Sequence, residues 1–309
     1  MRLVSIQDMI DRARKAADNR NSARYSEAEI IRDLNTGVAE LHDFLTGAFS
    51  ADYYFTTQTY TMAVSTPSYV LPADFYKLAG VDVESGLSSG DFVPMRRANE
   101  EARAFSQSAS VVPRYFLRGR YIVLTPPPSA ARQFKVHYNP TAPKLIKTEF
   151  LAAAVTISSN QIALTDHGLR LNEPVRFTTA SALPGGLAVS TTYYVIVVDA
   201  NTIQVAASID GSAIDLTSTG TGPHTILSLY DGVNGWEEYA VLDAAIKMLD
   251  EEESDSRPQQ KRLAAMKDRL ETMTNNRDTC EAFTVRDVTG AELDSETDMR
   301  GGMRWPPPA

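Results

Sequence analysis

The sequence predicts an α+β protein: a helical bundle core with a β subdomain, an inserted all-β domain of sandwich or barrel-like build, and an extended C-terminal tail. Three observations carry that reading. Apolar residues recur at helical spacing over 5–45 and again over 235–273, the mark of helices with one buried face. From 53 onward aromatic and β-branched residues alternate at period two, as in YYFTTQTYTMAV, the pattern of half-buried strands. Residues 150–228 contain no lysine and only seven charged side chains, whereas the whole chain is 22% charged; such a step in composition marks a separate module.

Each element has its own signal. Residues 5–17 place Ile6, Met9, Ile10, Ala13 and Ala17 on one helical face with charged side chains opposite. After the polar link at 19–22, Ser26 and Glu29 have the spacing of a capping box, in which serine and glutamate satisfy each other's free backbone amides and open a second helix. Its stripe is Ile30, Leu34, Val38, Leu41 and Leu45; Gly37 within it weakens the helix slightly without ending it. Strands are expected near 53–64, 68–71, 79–84, 115–118, 120–125 and 133–138, with a helix near 98–107. Pro126-Pro-Pro128 stops the chain between the last two strands. Pro72-Ala-Asp-Phe75 reads as a turn that sets Phe75 into the sheet.

Within the lysine-free module, AVTIS, QIALT, EPVRFTT, TYYVIVV, TIQVAAS and HTILS read as six short strands separated by DHGL, LPGG, DAN, DGS and GTGP. Helical spacing returns with Trp236, Ala240, Ala244 and Met248, a stripe that runs into the acidic stretch 251–255. Pro258 then opens a partner helix carrying Leu263, Met266, Leu270 and Met273, and the two are expected to pair as an antiparallel hairpin. From 284 the chain is polar, Gly-rich and Pro-rich without apolar period, a composition expected to stay disordered in isolation. The expected division is 1–149, two helices and a β subdomain; 150–228, the inserted all-β domain; 229–283, the C-terminal helix pair of the core; and 284–309, the tail.

Composition excludes several classes of function. The single Cys280 leaves no intrachain disulfide, and four scattered histidines (42, 137, 167 and 224) give no metal-ligand cluster. No run approaches the roughly 18 apolar residues of a membrane span, and the Met1-Arg-Leu-Val-Ser5 start lacks the apolar core of a signal peptide, so an intracellularly made, soluble protein is expected. The net charge of −9 divides as about +2 over 1–149, −3 over 150–228, −6 over 229–283 and −2 over the tail. Tight DNA binding needs clustered Lys and Arg, and no segment supplies them.

The candidate chemistries are few. Asp166 and His167 supply two members of a hydrolase triad, with Ser190 as nucleophile, yet no nucleophile elbow accompanies them, and Asp-His-Gly-Leu is more simply a turn with Gly168 at positive φ. Pro184-Gly-Gly186 suggests a phosphate cradle but lacks a Walker Lys and precedes a strand instead of a helix; hairpin glycines are the simpler reading. Consecutive acids at 251–255 point in different directions along a helix and do not converge on one ion. Cys280 has no nearby histidine, and His42 and His137 have no partner in sequence. No catalytic, cofactor or metal residue is assigned. In the tail, Met303, Arg304 and Trp305 are side chains of the kind enriched at interface hot spots, followed by a stiff Pro306-Pro-Pro308.

The order of elements resembles the head-to-tail adaptor, or connector, proteins of tailed bacteriophages. The likeness rests on SEAEIIRDLNTGVAEL at 26–41, SYVLPADFYKLAGVDV at 68–83, PRYFLRGRYIVLTPPP at 113–128, VHYNPTAPKL at 136–145 and GWEEYAVLDAAIKMLDEEESD at 235–255. Residues 150–228, with HGL, ALPGGL, YYVI and GTGPHT, look like a small β module found in virion structural proteins. The resemblance implies a non-enzymatic, dodecameric ring at the virion neck, assembled in the host cytoplasm. It also implies a portal contact through Arg300, Met303, Arg304 and Trp305, tail nozzle or fibre proteins as further partners, and double-stranded DNA passing through without tight binding. Two other readings stay open: a tail or fibre-associated module whose β domain binds carbohydrate through Tyr193 or Tyr194, and a hydrolase using His167.

Overall fold

A capped helix follows directly from a short strand at the N-terminus. In the computed structural model, which describes residues 3–18, 24–48, 54–87, 89–98 and 113–274, β1 (Leu3–Ser5) leads into α1 (Ile6–Ala16). The Ser5 hydroxyl accepts the Gln7 N–H at 3.2 Å as N-cap. The second helix, α2 (Glu27–Ala48), opens with the expected capping box: Glu29 N–H donates to Ser26 Oγ at 3.3 Å and Ser26 N–H to Glu29 Oε2 at 2.8 Å. Two further helices close the described chain, α3 (Glu237–Glu251) and α4 (Arg257–Thr274). The fold is α+β, with four helices and extensive antiparallel sheets among the described residues. The chain divides into two units, Met1–Thr274 and Asn275–Ala309; the second lies outside the described residues.

The period-two segments form two packed sheets. One has the order β2 (Thr56–Thr61), β8 (Gln133–Pro140), β4 (Phe75–Glu84), β5 (Phe92–Pro94); the other has β3 (Ser68–Val70), β7 (Tyr121–Thr125), β6 (Arg114–Arg118). Alternate residues Phe134, Val136, Tyr138, Val81 and Val83 of the first meet Tyr115, Ile122 and Leu124 of the second in one buried cluster. β4 starts four residues earlier than its sequence pattern suggests. Register shifts at Phe75/Lys77 and Leu78/Gly80 break the alternation there, which hides the first half of the strand. The expected turn is present, with Phe75 N–H bonded to Pro72 O at 3.1 Å, and the Phe75 ring packs 5.6 Å from Tyr138. The helix expected near 98–107 falls almost wholly on residues outside the described ones.

An eight-stranded antiparallel sheet follows. Its path runs from β1 through β15 (Pro223–Asp231), β12 (Pro174–Thr179), β13 (Tyr193–Asp199), β14 (Thr202–Ala206) and β11 (Gln161–Ala163) to β10 (Val155–Thr156), with β9 (Lys147–Leu151) also paired to β15. Phe150, Val175, Phe177, Tyr193, Val195, Ile203 and Ile226 point to one side and form a second buried cluster. β15 is shared: residues 223–227 pair with β9, 224–228 with β12, and 229–231 with β1. Three short strands escape the sequence reading: β1 and β5 have only three residues each, and β9, KTEFL, is mostly polar.

The third cluster belongs to the helices. Ile6, Met9, Ile30, Leu34, Val38 and Leu41 meet Tyr239, Ala240, Ala244 and Met248 of α3, and Met266 and Leu270 of α4. α3 packs against α1, α2 and α4 and is buried on most of its surface. Arg12 of α1 ties to its start through Glu237 at 3.1 Å and through Glu238, and the Tyr25 hydroxyl donates to Met248 O at 2.9 Å near its end.

Candidate functional site

The candidates for chemistry that fall within the described residues are engaged in local structure. His167 is buried in the turn between β11 and β12, where its Nδ1 accepts the Leu169 N–H at 2.9 Å and its Nε2 lies 2.9 Å from Asp199 O. The ring therefore carries its proton on Nε2 and donates it to that carbonyl. With both nitrogens on backbone, His167 has none left for Ser190, which sits exposed in the loop before β13. The Asp166–His167–Ser190 arrangement does not form. Gly168 has the expected positive φ, 62°.

Pro184-Gly-Gly186 is a turn, with Leu187 N–H bonded to Pro184 O at 3.0 Å and Gly186 at φ 98°. It lies within the long connection between β12 and β13, which do pair antiparallel, and is not the tight hairpin turn of the sequence reading. Gly185 instead bridges sideways to Ser218, and a Cβ on Gly186 stands 2.4 Å from Asp215 O. The glycines are there for close approach of two loops, a long-range contact that local sequence does not encode.

The remaining polar candidates also have structural work. Asp255 pairs with Arg257 at 2.7 Å, which lowers its carboxyl to about 2. Among the described residues no three His, Cys, Asp or Glu side chains gather as a metal site, and no helix is long and apolar enough to cross a membrane. Tyr193 is buried in the second cluster, its hydroxyl accepting the Ala188 N–H at 2.7 Å, so it is not a sugar platform; Tyr194 faces the other side, half-buried. His42 is buried between Tyr54 and Tyr76, ring centroids 4.6 and 5.5 Å away, and burial holds its imidazole below the ordinary value.

His137 does have partners: Asp82 Oδ2 lies 2.9 Å from Nε2 and Thr57 Oγ1 2.8 Å from Nδ1. They come from neighbouring strands β4 and β2, separated by 55 and 80 positions in the chain, so spacing does not reveal them. Phe55 stacks on the ring at 5.3 Å. Cys280, Arg300, Met303, Arg304 and Trp305 lie outside the described residues.

What the fold does present is surface. Asn35 on α2 donates from Nδ2 to Leu145 O at 2.9 Å and accepts the Leu145 N–H at 2.7 Å, pinning segment 142–148 beside the helix as a strand would. Between them runs an open trough of about 780 Å³ lined by Ala28, Ile31, Ala39, Ala142 and Pro143 together with the cationic side chains Arg32, Lys144 and Lys147. A smaller cleft of about 230 Å³ opens where residues 170–174 approach Tyr54, Leu145 and Tyr230. Arg170 braces it, donating to Glu173 at 2.8 Å and to the Thr141 carbonyl. Burial raises the Glu173 carboxyl above its usual value despite that arginine.

The family model described as SU10 adaptor protein matches residues 4–160. The chain belongs to the SU10 adaptor protein family. It is a phage structural adaptor, as the order of its elements indicated. The adaptor match covers α1, α2 and every strand from β1 to β10, and ends before β11. The trough walls, α2 and 142–148, thus lie wholly inside the matched adaptor region, and the cleft lies at its boundary with the later strands. No curated protein matches the chain.

Proposed function

We propose that the chain forms a ring, twelve-fold in the family's usual manner, that sits between portal and tail in the virion neck, extends the DNA channel and serves as a platform for nozzle or fibre proteins. The observation that carries this is the adaptor match over 4–160. Its helical bundle core is 1–149 with 229–283, into which 150–228 is inserted as an all-β domain projecting toward tail components, and 284–309 is an arm that reaches the portal with Arg300, Met303, Arg304 and Trp305. A net charge of −9 per copy, repeated around a ring, repels duplex DNA and lets it pass.

The test is electron microscopy of the purified full chain, alone and mixed with its portal. Rings that dock on the portal are expected, with docking weakened when 284–309 is deleted or when Met303, Arg304 and Trp305 are changed to Ala. Monomers that ignore the portal overturn the proposal.

A further inference from the structure

Two helical faces are left exposed, and they carry opposite charge. α2 holds five carboxylates against one arginine. Its outward face shows Glu29, Thr36, Glu40 and Asp43, all exposed, beside the open trough. α4 holds five cations against two carboxylates. It buries only a narrow stripe around Met266 and Leu270 and exposes Lys261, Arg262, Ala265, Arg269 and Met273. Neither Lys261 nor Arg262 has an ion pair among the described residues. Both helices pack on α3; within one molecule they come near each other at Tyr239, whose hydroxyl donates to Glu40 at 3.4 Å and whose ring lies 5.5 Å from Lys267 Nζ, but Lys261, Arg262 and Arg269 lie on the other flank of α4.

We infer that α4 of a second copy lies along the outward face of α2, with Lys261, Arg262 and Arg269 opposite Glu40 and Asp43 and with Met273 directed into the trough. At 1.5 Å per residue the helices are about 33 and about 27 Å long, a fair match for side-by-side packing. Ala28, Ala39 and Ala142 leave room for Met273 in the trough, while its cations Lys144 and Lys147 are turned to Asp166 O and to Glu27, and the basic side chains of α4 lie over Glu40 and Asp43 beside it. Because one face meets a different face, the contact is heterologous: each copy offers both halves, and repetition closes into a ring when the rotation allows. The inference rests on the ring reading above and names its subunit contact. The interleaved Asp268 and Glu271 on α4 speak for a protein partner over a phosphate backbone, which rewards unbroken positive charge.

The experiment is a charge swap in the full-length protein, read by sedimentation and electron microscopy, with circular dichroism as the fold control. Changing Lys261, Arg262 and Arg269 to Glu is expected to abolish rings, as is changing Glu40 and Asp43 to Lys; the chain carrying both sets recovers them. A second readout avoids charge: with Cys280→Ser, the pair Thr36→Cys and Ala265→Cys is expected to give a ladder of disulfide-linked oligomers under mild oxidation. Rings that survive either charge reversal, with no ladder, overturn this inference and leave the adaptor proposal standing. A wild-type chain that stays monomeric with and without portal overturns both. Duplex DNA retarded by the wild type and released by the α4 reversal, with rings unaffected, assigns the basic face to DNA and also overturns it.

Discussion

Gly37 sits where α2 comes closest to α3. A Cβ built there stands 2.9 Å from Ala240 Cα, closer than side chains pack against backbone, and 3.1 Å from Asp243 Oδ2, which would have to give way. Helix propensity alone favours alanine over glycine by about 1 kcal/mol, whereas forcing a methyl against backbone in a packed contact costs about 1–3 kcal/mol. The second effect wins, and Gly37→Ala is expected to lower stability in urea unfolding; a more stable variant shows that the helices do not meet this closely. Sequence spacing marks Gly37 as a mild defect in a helix but contains nothing of Ala240, more than two hundred residues on. The same holds for His137, whose partners Asp82 and Thr57 arrive through strand pairing. His167 differs: its role as a turn residue is legible in Asp-His-Gly, because the Leu169 N–H it accepts lies two positions away.

Elements whose signals are local were legible at the scale of helix and strand. The capping box of α2, the apolar stripes of α3 and α4, and the six short strands within 150–228 all need only neighbours within a few positions. β4 was half hidden by its bulges, and β9 by its polarity. β9 is held in place partly by Lys147, which donates to Glu27 in the first turn of α2 and to Gln7 Oε1 at 2.8 Å. That bond holds the Glu27 carboxyl below its usual value, the hydrogen bond from Lys147 outweighing burial. A carboxyl with a depressed folded value adds stability above its unfolded value, and that contribution fades as pH falls through the folded one. Glu27→Gln is therefore expected to be less stable than wild type at neutral pH, by under about 1 kcal/mol since the pair is partly exposed. The difference closes in acid, as thermal unfolding at a series of pH values would record; a deficit independent of pH assigns it to something other than the ion pair.

Across the whole molecule, β15 is the strand on which the proposed inserted domain and the helices depend together. Ile226 belongs to the cluster of the β module and Tyr230 to that of the helices, four residues apart on one strand. The compositional step places the module at 150–228 because charge and lysine content change there, but hydrogen bonding ignores composition. A cut at 150 removes Lys147, Thr148 and Glu149, which pair with Leu227, Ile226 and Thr225. It also removes Ile146, whose carbonyl accepts the Ser228 N–H at 2.9 Å and whose N–H donates to Ser228 Oγ at 2.9 Å. A sheet edge stripped of three of its five pairs also uncovers Phe150 from the core beside Phe177 and His224. Two fragments decide how far the module stands alone. Residues 146–231 keep every pair among β9, β12 and β15 and are expected to give dispersed amide signals in solution and a cooperative melt. Residues 150–228 are expected to give neither, since small domains have little stability to lose. A shorter fragment that folds as well as the longer one shows that the pairing of residues 147–149 with β15 adds nothing to the module's stability, and that 146–149 then serve mainly to fasten it to the helices.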